Sequence, residues 1–155
     1  MSSARPRQQR RDPPWDLDGF NQGPSSNSIL LQWITTEDNY RRWDSTTFEP
    51  AERLIICQEI VRLMQMEGIA HRHARGINTR IQILRRSYLT AREFVIHARG
   101  NTNEISPIIL GYARRVCPFW DVLDPVIGGQ EAQTARFYQM ANSEQSSDTE
   151  STNTT

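Results

Sequence analysis

A chain of 155 residues with 18 arginines and no lysine against 18 acidic residues has room for one ordinary domain and carries no net charge. No apolar run reaches the roughly 18 residues of a membrane span or the pattern of a secretion signal, which argues against a membrane protein and leads us to expect a soluble, intracellular one. The two cysteines, Cys57 and Cys117, lie far apart without C-x-x-C spacing, so neither a zinc site nor a disulfide framework is expected, and both read as reduced core residues.

Residues 1–27 are dominated by Pro, Arg, Gln, Ser, Asn and Asp, with Trp15, Leu17 and Phe20 as the main apolar content, and are expected to form a disordered N-terminal arm. Within it Arg5 to Arg11 is a basic run that reads either as a nuclear import patch or as a solvated tail. A helical domain is expected over 28–128. Its first helix follows a Ser-Asn-Ser cap at 26–28, sets Leu30, Trp33 and Ile34 on one face, and ends near Thr35. The stretch from Thr36 through Trp43 reads as a polar passage leading to Pro50, a residue suited to the first turn of a helix. The second predicted helix presents Leu54, Cys57, Val61 and Met64 as one stripe, widened by Ile56, Ile60 and Leu63, with Gly68 as its stop.

The third predicted helix, 75–99, is the most regular. Ile77, Ile81, Leu84 and Tyr88 step along one side, and Ala91 with Phe94 or Val95 continues the seam. Ser106 and Pro107 signal a fourth helix, carrying Ile108, Ile109, Leu110, Tyr112, Ala113 and Val116 and halted by Pro118. Phe119 to Ile127 supplies aromatic and aliphatic anchors to close the base of the bundle, with Trp33, Trp43, Phe119 and Trp120 read as core. Residues 129–155 read as a mostly disordered acidic and polar tail, with at most a marginal helix over Glu131 to Ala141.

The zero net charge conceals a local excess. Between His71 and Gly100 seven arginines (72, 75, 80, 85, 86, 92 and 99) face the single acid Glu93, an excess of six. A GC-rich coding bias accounts for the absence of lysine but not for this clustering, which points to an anionic partner. At about 100° per residue the side opposite the buried seam carries Arg75, Thr79, Gln82 and Arg86, flanked by Asn78 and Arg85 on one edge and Ile83 on the other. Arg, Gln and Asn make paired contacts with guanine and adenine edges, and Thr bonds or touches a thymine methyl, so all six polar residues are candidate base contacts. Arg72, Arg92 and Arg99 sit nearer the helix ends and suit phosphate contacts that set register. A solvated amphipathic helix also shows a polar stripe, but it mixes signs to form i,i+4 pairs, and this one does not.

Ile29-Leu-Leu-Gln-Trp-Ile-Thr-Thr-Glu-Asp-Asn-Tyr-Arg-Arg-Trp43, followed by Glu59-Ile60, Gly68-Ile69, His71-Arg72 and Ile77-x3-Ile81-x2-Leu84-x2-Ser87-Tyr88, resembles the Myb/SANT-like domains of fungal and oomycete proteins, and Cys117-Pro118 with Leu123-Asp-Pro-Val126 is similar to the segment that closes them. The resemblance covers about residues 28–128. It implies an all-α fold, a three-helix bundle of helix-turn-helix type with an additional C-terminal helix, and a recognition helix at 75–88. It also implies a nuclear role with double-stranded DNA as partner, in a regulator of transcription or a transposon-related protein. The chain departs from the broader Myb pattern of three evenly spaced tryptophans, since Trp33 and Trp43 are ten apart and the third-helix positions are Leu84 and Tyr88.

The alternative is a SANT-type adaptor in chromatin that meets a basic protein partner through Glu37-Asp38 and Asp121-Asp124. Apolar excess on the second and fourth predicted helices offers a homodimer seam. His71, His73 and His97 do not share a helix face with a completing carboxylate or thiol, so no metal is expected. No cofactor is expected either, and no nucleophile-bearing or phosphate-loop motif is present, so the chain is not read as an enzyme.

Overall fold

Ser25 starts the first helix. Its hydroxyl accepts the Ser28 N–H at 3.2 Å, satisfying one of the donors that a helix start leaves free, and α1 then runs over Ser26–Thr35. The computed structural model describes residues 11–129, and every regular element among them is helical. After α1 come α2 (Asn39–Ser45), α3 (Pro50–Met66), α4 (Ala74–Arg99), α5 (Pro107–Val116) and α6 (Trp120–Leu123), which passes into a π-helical turn at Asp124–Gly128. No helix among the described residues is long and apolar enough to cross a membrane. The segment Glu131 to Ala141 and the rest of the expected tail beyond Gly129, like Arg5 to Arg10, lie outside the described residues.

Four helices fall close to where hydrophobic period and capping residues put them, although α1 is capped by Ser25 and the Ser-Asn-Ser stretch at 26–28, expected to be the cap, forms its first turn. Pro50 opens α3, and Ser106 caps α5 by accepting the Ile109 N–H at 3.3 Å. The passage after Thr36 differs from expectation, because it contains α2. Seven residues cannot hold a helix by themselves; Tyr40 and Trp43, one turn apart, are both buried, and burial of that pair supplies what propensity lacks. The end of α3 is set by Gly68, whose φ of +84° lets the Ile69 N–H reach back to Met64 O at 2.9 Å. A side chain there would meet the Phe20 ring, 2.7 Å from the position of a Cβ.

α4 is the spine of the bundle. α3 and α5 both pack along it, α1 crosses α2 and α3, and α6 seats against α1, α4 and α5. Trp43 is fully buried, and its Nε1–H donates to Asn78 Oδ1 at 3.0 Å, tying α2 to α4. The Arg53 guanidinium of α3 lies 4.1 Å from the Trp43 ring centroid and donates to the Trp43 carbonyl and the Thr46 hydroxyl. At the other end of the core Tyr88 stacks on Trp120 with centroids 5.1 Å apart and donates to Asp124 Oδ1 at 2.7 Å. Cys57 and Cys117 are buried free thiols, and burial pushes the Cys57 pKa up to about 11 against the opposing pull of Arg53, which keeps it a protonated packing group.

The expected disordered arm is corrected over residues 11–27. Its last two residues belong to α1, and the segment before them is fastened to the bundle by one carboxylate. The Asp18 side chain is fully buried. It accepts from the Ser26 N–H at 2.7 Å, the Ser26 hydroxyl, His71 Nε2 at 2.9 Å and Arg72 Nη2 at 3.0 Å. Arg72 also donates to Pro13 O at 2.6 Å and lies 4.2 Å from the Trp15 ring centroid, and Asp16 accepts from Asn27 Nδ2 at 2.8 Å. Composition alone indicates too little apolar area to order this segment, but a buried charge with several donors does not depend on area. The packed unit therefore starts well before residue 28.

Two measurements check these ties. Trp43→Phe keeps an aromatic ring but removes the donor together with part of the buried indole, and in denaturant unfolding it should cost at least the roughly 1–3 kcal/mol of the lost bond; combined with Asn78→Ala the loss should fall short of the sum, because both changes remove the same bond. Burial raises the Asp18 pKa, but the Ser26 hydroxyl and N–H, Arg72 and His71 together outweigh it and hold the carboxyl below its ordinary value. The stabilisation is then complete above the unfolded-chain pKa of about 3.9 and is lost as the pH falls through the lower folded value. Thermal midpoints of the wild type should drop across that window relative to pH 6 or so, and Asp18→Asn should be less stable at neutral pH and flatter across it. An identical acid limb in the variant would assign it to other carboxylates.

Candidate nucleic-acid interface

The 26 residues of α4 span about 39 Å at 1.5 Å per residue. Ile77, Ile81, Leu84, Tyr88, Ala91 and Val95 are its buried positions, and their steps of four and three residues keep them on one side. At about 100° per residue the diametrically opposite line passes among Arg75, Thr79, Gln82 and Arg86. All four are exposed. The Thr79 hydroxyl donates to the Arg75 carbonyl one turn back at 3.0 Å, which leaves its methyl and an oxygen lone pair outward. Arg75 and Arg86 pair with no carboxylate among the described residues, whereas Arg42 and Arg114 elsewhere are matched by Glu59 and Asp121. The two patterns separate cations held within the fold from cations left to solvent.

The flanks of the stripe are built differently from its centre. Asn78 is half-buried, with its Oδ1 engaged by Trp43 and its Nδ2 donors without a partner among the described residues. Arg85 forms an ion pair with Asp44 of α2 at 3.1 Å, with side chains 33% and 25% exposed. These two, aligned on one edge as the sequence indicates, are therefore positioned by α2. On the other edge the arm lies against the N-terminal half of α4 and α5 against its C-terminal half, the latter through Ser87, which donates to Val116 O at 3.1 Å, and Phe94, 4.1 Å from Tyr112. Neither neighbour covers the four central residues.

Of the three expected phosphate contacts, Arg72 is corrected. It is buried, and Asp18, Ser26 and Pro13 engage it from the arm, so it braces the fold. Arg92 is half-exposed beside a shallow hollow shared with Leu89 and Ile96, and Arg99 is half-exposed at the end of α4. His71 bonds to Asp18, and among the described residues no group of three or more His, Cys, Asp or Glu side chains gathers as metal ligands do.

Arg80 was missed by sequence reasoning. Angular position puts it beside the seam, away from the stripe, and its significance depends on Trp15, 65 residues earlier, whose ring centroid lies 5.5 Å from its guanidinium carbon. The signal in the sequence was an isolated tryptophan among aspartates in a polar arm, a residue costly to leave in water. No protein-family model, curated protein or solved structure matches the chain.

Proposed function

We propose that the chain is a DNA-binding module of Myb/SANT-like type, acting in the nucleus as a regulator of transcription or as part of a transposon-related protein. In this reading α1, α3 and α4 are the three helices of the bundle, α5 is the C-terminal addition, and α4 enters the major groove. The observation that carries it is the stripe of Arg75, Thr79, Gln82 and Arg86, exposed along a rigid helix whose reverse side is locked in the core, with both of its arginines unmatched by an acid among the described residues. These residue types supply the donor and acceptor pairs that base edges require, and a helix fixed by packing loses little entropy on docking. Asn78 assists through its amide donors. Arg85 assists by exchanging Asp44, its partly buried partner on α2, for a nucleic-acid acceptor. Arg92 and Arg99 remain as phosphate contacts.

The adaptor reading needs exposed acid. Asp124 accepts from Tyr88, and Asp121, though 63% exposed, is paired with Arg114 at 2.9 Å, which leaves Glu37 and Asp38 as the exposed acids of that reading without an ion pair among the described residues. This distribution favours the nucleic-acid partner.

Selection of bound sequences from a random duplex pool, run at two salt concentrations, tests the proposal. An enriched motif is expected, and binding without sequence preference that falls steeply with salt would reduce α4 to a phosphate anchor. Gln82→Ala should relax specificity at about one base pair and cost about 1–3 kcal/mol on the preferred site, while Arg99→Ala should weaken all sequences alike. Equal effects from the two changes would reverse the assigned roles.

A further inference from the structure

Between the docked arm and the first turns of α4 lies an open cleft of about 520 Å³. Asp12 and Trp15 line it from the arm, His73 from the residue that precedes α4, and Arg75, Thr79 and Arg80 from α4 itself. Arg75 and Thr79 also belong to the exposed stripe, so the cleft is continuous with that face along one flank.

Two neighbouring arginines here have opposite surroundings. Arg72, which also lines the cleft, is matched by the buried carboxylate of Asp18. Arg80 has no such partner among the described residues. Its single hydrogen bond is a long one, Nη2 to Asn27 Oδ1 at 3.4 Å, and its Nε is shielded from solvent without an acceptor. The unmatched Nε leaves this guanidinium under-compensated on its buried side, and its terminal nitrogens, which are not shielded in this way, are the ones that can meet an anion at the cleft. Asp12, an exposed acid at the cleft, makes no ion pair with it. A second feature acts in the same direction: His73 gives α4 no side-chain cap, and the Cβ position at Gly76 is open, so the positive end of a long helix faces the cleft without a built-in acceptor.

We propose that this cleft binds the sugar–phosphate backbone of the duplex, with one phosphate held by Arg80 beside the first turns of α4 and the Ile83 side chain against the adjoining sugar. The inference rests on the reading of α4 as a groove-binding helix. A helix lying in the major groove has a phosphate strand on each side. Asn78 and Arg85 border one strand, and the cleft receives the other. The docked arm is then part of the interface, since Trp15 forms the wall that holds Arg80 at the cleft. Arg80 takes the phosphate role that its position beside the seam obscured.

The test uses the full chain and a duplex carrying the selected motif. Arg80→Gln should lower affinity for every sequence alike, leave the motif unchanged, and reduce the slope of log K against log salt by about 0.9, the contribution of one phosphate; Arg80→Lys should keep the slope. A scan of single methylphosphonate linkages, which remove one backbone charge at a time, should find one linkage beside the motif whose neutralisation weakens the wild type but not Arg80→Gln. With the wild-type protein alone, the Arg80 Nε–H resonance should shift on adding the duplex and shift less when that linkage is neutral, a readout independent of how well the variants fold. Motif binding with an unchanged salt slope in Arg80→Gln, or a resonance indifferent to every linkage, overturns the cleft and leaves the base-reading face standing. Failure of the full chain to bind any duplex overturns both.

Discussion

The bond from Trp43 to Asn78 fixes which way α4 faces. A 26-residue helix packed along an apolar seam can roll by a fraction of a turn at small cost, because hydrophobic contact has no direction. A hydrogen bond inside the core does have direction, and rolling α4 would leave the Trp43 N–H and Asn78 Oδ1 buried and unpaired. Arg53 holds the same indole from the α3 side, and Tyr88 with Trp120 and Asp124 provides a second directional fix about three turns along. With α4 fixed at these two points, Arg75, Thr79, Gln82 and Arg86 have nowhere to turn but outward.

Charge in the molecule is sorted by the same packing. Five arginines are placed against internal partners: Arg42 on Glu59, Arg53 on Trp43 and Thr46, Arg72 on Asp18, Arg85 on Asp44 and Arg114 on Asp121. Desolvation lowers the Arg53 pKa, and the Glu59 hydrogen bond raises that of Arg42, two directions that reflect burial in one case and pairing in the other. The arginines of α4 without a carboxylate among the described residues include Arg75, Arg80 and Arg86, all toward its N-terminal half. The positive end of the helix dipole lies at the same place, so side-chain charge and backbone charge reinforce one another over the stretch from His73 to Arg86.

The arm illustrates how a short polar segment can be ordered. Asp18 gathers donors from α1 and from the residues entering α4, so a single side chain joins the starts of two helices far apart in sequence. Phe20, against the left-handed Gly68, adds a contact at the end of α3. The arm thereby bridges the connection between α3 and α4, the corner that sets the angle at which α4 leaves the bundle.

Much of this protein is legible in its amino-acid sequence. Helical period, Ser106 with Pro107, Pro50 and Gly68 determined α1, α3, α4 and α5, because capping and amphipathic spacing are local and act within a few residues. The same spacing determined which side of α4 is buried and therefore which four polar residues oppose it. Three features needed the tertiary structure. α2 exists because Trp43 finds Asn78 and Arg53, partners 35 and 10 residues away, while its own seven residues carry no helical pattern of sufficient length. The arm is ordered because Asp18 meets Arg72, 54 residues on, a pairing that composition cannot express. The unmatched arginine charge is also smaller than the order of residues along the chain suggests, since Asp18 and Asp44, both outside the basic block, match Arg72 and Arg85. Local sequence determines the identity of a helix and its faces; which of its charges remain free is decided by whatever the fold brings beside them, since electrostatic pairing depends on distance in space and not on distance along the chain.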